Sequence, residues 1–206
     1  MIDQLLHGYN SGHRLLAKSP GVTREESDMV DRYSDASGYA PYGYRWHHMM
    51  VGYPVGTRYA LSAIWPDSEC HRGGAVLTHT LILPRRILTY PLQSLAIMLR
   101  QPTRHDWPTF CAAIEEDGLR VFSSPAPPPS AVTVAAFPVV CLMSHTSADD
   151  LVFSVWETLT QEQRASFSFH TDLFTAITLP GGRPFDLSCI RPASRGAFSK
   201  HKILSL

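Results

Sequence analysis

Leu5-Leu6-His7-Gly8-Tyr9, then Asn10-Ser11-Gly12, then His13-Arg14-Leu15-Leu16-Ala17 opens the chain as strand, tight turn and strand. A three-residue connection closed by glycine is a common hairpin loop, because such loops need a positive φ. Gly12 is therefore expected at positive φ. Arg14, between His13 and Leu15, is expected on the face opposite both, reaching solvent or a ligand. Further on, 59–65 and 75–83 read as two longer strands, separated by a polar loop with the pair Gly73-Gly74.

Between the hairpin and these strands, 23–37 is polar and mixed in charge, which suits a short helix followed by a loop. The stretch 38–59 interleaves Tyr39, Tyr42, Tyr44, Trp46, Tyr53 and Tyr59 with Gly and Pro, and reads as irregular or edge-strand. Leu92, Leu95, Ala96 and Leu99 recur at helical spacing after Pro91, and a second helix is expected from Asp106 to Gly118. The stretch from Ala131 to Met143 reads as a buried strand. Thr146 or Ser147 then caps a helix whose stripe is Leu151, Val152, Val155, Trp156 and Leu159. Thr160-Gln161-Glu162-Gln163 has the capping-box pattern for another. The class is α+β, with a mixed or mainly antiparallel sheet, three to four short helices and an N-terminal β-hairpin. The Pro-rich run 123–130 is the natural connector between an N-terminal part, 1–122, and a C-terminal part, 131–206, packed on the same core.

Composition narrows the function. With 206 residues, 44% apolar and 17% charged, there is enough hydrophobic surface for a core, which excludes a wholly disordered chain. Eighteen Lys and Arg balance eighteen Asp and Glu, so no global charge draws the molecule to nucleic acid or membrane. Sixteen prolines and thirteen glycines argue against a helical bundle. The four cysteines, at 70, 111, 141 and 189, are too far apart for a zinc or redox pair. Free thiols, with neither signal peptide nor spanning segment in the sequence, lead to a cytoplasmic expectation.

Ten histidines invite a metal reading, but His47 and His48 are adjacent and on a strand face opposite ways. HExxH spacing is absent, so no metal and no cofactor are expected. Among His-Thr pairs only His145-Thr146-Ser147 fits the H-x-[ST] pattern of two-histidine phosphoesterases, which needs two such units. His79, in the apolar run 75–83, reads first as a hydrogen-bonded core histidine. The sharper alternative groups it with His7, Tyr9, His13 and Arg14 as an anion site, since Arg supplies a fork and His a titratable donor. An enzyme acting on phosphate esters would use that cluster. The aromatic residues Tyr39, Tyr42, Tyr44, Trp46 and Tyr53 have few basic neighbours and suit a protein interface better than stacked bases. The basic C-terminal residues Arg183, Arg191, Arg195, Lys200 and Lys202 are candidates for nucleic-acid contact.

Residues 6–17 resemble the opening of the GTPase-associated protein N-terminal domain. The likeness continues through Tyr33-Ser34-Asp35-Ala36-Ser37-Gly38, Val51-Gly52-Tyr53-Pro54, residues 59–67 and residues 74–82, with a fainter echo at 163–171. The resemblance implies a place in bacterial NTPase-linked conflict, or defence, systems. Protein subunits of such a complex, an NTPase among them, would be the partners. It brings no established reaction and so no catalytic residues. Proteins of this family are typically longer, which suggests a stand-alone subunit working in a complex. The leading expectation is a non-enzymatic adaptor.

Overall fold

The hairpin forms as the sequence dictates. In the computed structural model, which describes residues 1–40, 44, 47–103, 107–122, 127–129, 132, 137–144 and 147–206, β1 (Asp3–Tyr9) and β2 (His13–Lys18) pair antiparallel. Gly12 has φ of 132°, a conformation side chains resist, and Ser11 beside it is also left-handed at 56°. The pairing shifts register between Leu6 and His7.

β5 (Val76–Pro84) lies against β1, β4 (Arg58–Pro66) against β5, and β3 (Met49–Val55) against β4, all antiparallel. Beyond β3 the sheet continues into the C-terminal half through β7 (Phe169–His170), β10 (Leu187–Ile190), β6 (Val139–Leu142) and β11 (Ile203–Ser205). Those four are mutually parallel, so the sheet is mixed. Among the described residues it has nine strands, in the order β11-β6-β10-β7-β3-β4-β5-β1-β2. Strands β8 (Thr178–Leu179) and β9 (Arg183–Pro184) form a separate small ribbon.

Helices cover both faces, so the central strands are buried on two sides and alternate between two cores. On β4, Tyr59, Leu61 and Ala63 join α2 (Leu92–Ala96) and α3 (Ala148–Thr158), while Ala60 and Ile64 join α1 (Arg24–Asp31). The caps expected from sequence are present. Ser147 accepts from the Asp150 amide at the start of α3, and Thr160 and Gln163 form the capping box of α4 (Gln161–Ser166). A further box, Thr23 with Glu26, starts α1. Its Glu26 also receives the Arg58 guanidinium, which reaches Asp3 on β1 and so ties helix to sheet.

Three expectations change. The stretch 49–55 is a central strand, not an irregular edge. Pro54 fits there because β7 pairs only with Val51 and Gly52, leaving the Pro54 position unpaired on that side. The helix expected across 106–118 is two short 3-10 turns, Trp107–Cys111 and Glu116–Gly118. Within 131–143 the strand occupies only Val139–Leu142. The Asp106 cap, the His145-Thr146 pair, Tyr42, Trp46 and most of the 123–130 connector lie outside the described residues.

Gly52 sits where the two halves of the sheet meet. A Cβ there would stand 2.3 Å from a Phe169 ring carbon and 2.5 Å from the Tyr59 hydroxyl. Both rings are fully buried and cannot yield cheaply. Gly52→Ala is expected to cost about 1–3 kcal/mol by overpacking, read as a lowered denaturant midpoint at unchanged slope. A midpoint equal to wild type would show that the junction is loosely packed.

Candidate functional site

The hairpin's α1-side face and two loops enclose a cleft of about 300 Å³. Tyr9 and His13 come from the hairpin, Asp35 and Tyr39 from the segment after α1, and Arg72 to Ala75 from the loop between β4 and β5. The Arg72 guanidinium lies over the Tyr9 ring at 5.0 Å. Tyr39 is 91% exposed at the edge of the cleft.

His13 Nε2 is 2.8 Å from the Ser34 hydroxyl, which itself donates to the Asp31 carbonyl at 3.1 Å. The hydroxyl has one proton, so His13 must donate through Nε2, and Nδ1 is the atom that would take up a further proton. Burial lowers the His13 pKa, against the opposite pull of Asp35 and Asp31. His7 stacks behind it, ring centroids 6.1 Å apart and planes within 15°. Fully buried, His7 has no hydrogen-bond partner for either ring nitrogen among the described residues. Burial, helped by the charge His13 can carry, depresses its pKa to about 3. The 3.7 Å approach of Asp31 is thus not an ion pair, because His7 is neutral at physiological pH.

The proposed five-residue anion cluster divides between the two faces of the sheet. His79 pairs in register with Leu6, and His7 with Thr78, so the two imidazoles face opposite ways. His79 is fully satisfied. Its Nδ1 accepts from the Arg100 amide at 3.0 Å, so Nε2 bears the proton and donates to Gln4 Oε1 at 2.9 Å. Burial, and then the charge of Arg100, lower its pKa to about 3. It is a core histidine against Phe110. Arg14 points away from His13, is exposed, and makes one long contact of 3.4 Å to the Ser11 carbonyl. Only His7, Tyr9 and His13 remain together.

Other candidates are also dispersed. Tyr53 is buried against Tyr33, so it serves the core and not a surface. Tyr44 packs edge-on against Phe174. Arg191 is half-buried, bonded at 2.6 Å to Asp172, whose own backbone is left-handed at φ 51°. Arg183, Arg195, Lys200 and Lys202 are exposed, Arg183 on β9 and the other three in the segment from Pro192 to the start of β11.

A feature the sequence did not disclose is the pair His48 and Asp149, 2.8 Å apart, joining the start of β3 to the first turn of α3. The carboxylate raises the His48 pKa against the effect of burial. Asp149→Asn is expected to bring the His48 titration back down towards or below 6.5, followed by the imidazole proton resonances in NMR. An unmoved titration would show that the pair does not persist in solution.

Cys141 and Cys189 stand opposite each other on β6 and β10, both buried. Burial pushes the Cys141 thiol up to about 11 and raises Cys189 as well, so neither is a ready nucleophile. Among the described residues no group of three or more His, Cys, Asp or Glu side chains is placed to hold a metal ion.

The first five strands, α1 and α2 make a continuous unit, and comparison with known families falls on that unit. Residues 1–99 match the family model described as GTPase-associated protein 1, N-terminal domain type 1. The match covers 99 of the 206 residues and is a likeness of that segment to the family. No curated protein and no solved structure matches the chain. The matched segment contributes the hairpin, Arg72 and Tyr39, that is, most of the cleft. Phe174, from the C-terminal half, closes one wall. Among the described residues no helix is long and apolar enough to cross a membrane.

Proposed function

We propose that the chain is a non-enzymatic, partner-binding module of a GTPase-linked assembly, of the kind found in bacterial conflict systems. The observation that carries the reading is Tyr39, nearly free of contacts at the cleft edge in a segment that matches a family described as GTPase-associated. Exposed aromatic side chains beside a concave surface are typical anchors of protein interfaces. Support for a non-catalytic role comes from the histidines. An acid and a base must reach one substrate atom, whereas His7 and His79 face opposite sides and are held neutral by burial.

Affinity capture with the tagged chain from the cells that produce it tests this directly. The expected result is co-purification of a protein carrying a nucleotide triphosphatase domain, identified by mass spectrometry. Recovery of the chain alone would overturn the reading.

A further inference from the structure

We propose that the cleft bordered by Tyr9, His13, Asp35 and Arg72 binds a small anion bearing an aromatic ring, of the nucleoside phosphate class. This is separate from the protein partner, and it is tested on the chain by itself.

Charge comes first. Arg72 forms no ion pair among the described residues, and its guanidinium is held over the Tyr9 ring rather than against a carboxylate. A cation so placed in a cleft keeps its full attraction for a phosphate, and its planar fork suits phosphate oxygens. His13 adds a second nitrogen on the same wall. Its Nε2 is committed to Ser34, and the free protein keeps it largely neutral by burial. An arriving anion would favour protonation at Nδ1, so binding should take up a proton.

The remaining wall suits the rest of the ligand. Asp35 Oδ1 accepts from the Ala36 amide at 2.8 Å, which fixes the carboxylate. Its second oxygen is available to a ribose hydroxyl or a base amino group. The Tyr9 ring, in the wall of the cleft, offers an aromatic surface to a base. The cleft volume of about 300 Å³ lies at the lower end of small-ligand sites, roughly 300–1,000 Å³.

A second, independent observation is His7. A fully buried imidazole with neither nitrogen bonded is costly, and native structures keep such groups rarely. Here it stacks on the cleft residue His13. The neutral ring backs His13 without competing for its proton or for the ligand.

Calorimetric titration of the chain with nucleoside mono- and triphosphates, free nucleosides and inorganic phosphate decides the matter. A nucleoside phosphate should bind at least about tenfold more tightly than either phosphate or the free nucleoside, and Arg72→Ala should weaken it by about tenfold or more at unchanged melting temperature. The binding heat near pH 7 should depend on the buffer's ionisation enthalpy, and this dependence should vanish in His13→Gln. Absence of binding by every nucleoside phosphate, inorganic phosphate binding equally well, or an Arg72→Ala variant that binds like wild type would each overturn the proposal. Because Arg72 is exposed, its removal leaves the fold intact, so loss of binding is not confused with unfolding.

Discussion

Acidification from pH 7 to pH 4.5 is expected to unfold the protein, well before its carboxylates finish titrating. The cause is three buried histidines, with pKa values depressed to about 3 for His7, about 3 for His79 and about 4 for His170. Burial is the first cause in each. In the unfolded chain the same groups take up protons near 6.5. Below that pH the unfolded state binds more protons than the folded one, so stability falls as pH falls, until the folded values are reached. Each histidine contributes a slope of about 1.4 kcal/mol per pH unit in that window, and the three together about 4. Over two pH units this approaches the whole stability of a typical domain, about 5–15 kcal/mol.

His48 works in the opposite direction, since its raised pKa gives stability that is present at low pH and lost as pH rises through the folded value. One such group does not offset three. Glu26 acts in a lower window. Burial alone would raise its carboxyl, but Arg58 and the Thr23 cap outweigh this and hold it below the usual carboxylate range. Its contribution is lost only as pH falls through that lowered value. Denaturant midpoints between pH 7 and pH 5 check the histidine account, and His79→Gln should flatten the slope by about a third. Midpoints constant across that interval would contradict it.

Arg164→Ala is expected to be the most damaging exchange of a charged side chain, at about 3–5 kcal/mol. The guanidinium is almost fully buried. It donates to the carbonyls of Trp156 at 3.0 Å, Leu88 at 3.0 Å, Thr89 at 3.0 Å and Tyr90 at 3.3 Å. It also lies 5.4 Å from the Trp156 ring and approaches Glu157 at 3.4 Å. One side chain thereby satisfies the end of α3 and the 3-10 turn Arg85–Thr89 from its place on α4. Its loss removes the donor to the Leu88 and Thr89 carbonyls and leaves Glu157 without its cation, while the Trp156 carbonyl keeps the Leu159 amide and the Tyr90 carbonyl keeps the Trp156 indole. Arg164→Lys should recover only a small part, because an ammonium cannot present a planar fork to several carbonyls. Equilibrium unfolding in urea measures both variants, and a loss under about 1 kcal/mol for Arg164→Ala would show that water replaces the guanidinium.

What the sequence disclosed, and what it hid, follows from the range of each interaction. The hairpin, β4, β5 and the caps of α3 and α4 are local, set by Gly12, by apolar runs and by Ser147 and Thr160, and they are legible. β3 was hidden because Gly52 and Pro54 look like strand breakers. One is required by the approach of Phe169, and the other is tolerated where β7 has ended. Arg164 looks like any surface arginine on a short polar helix, since its partners are distant in the chain. For the candidate site, Tyr9 and His13 were readable from the hairpin alone. Arg72 was not, because a loop residue announces no cation–aromatic contact. The grouping of His79 with His7 failed for a simple reason. Which face a strand residue takes depends on register with its neighbour, and local alternation does not fix that.

The central claim is that the cleft edge of the segment matching the GTPase-associated family is where a partner NTPase docks. The most direct measurement is affinity capture with wild type and Tyr39→Ala side by side, both shown to have the same melting temperature. The account predicts that wild type retains an NTPase and that the variant retains it at least about tenfold less, as for the loss of an aromatic anchor. Equal capture by the two proteins, or an NTPase retained by neither, would contradict it.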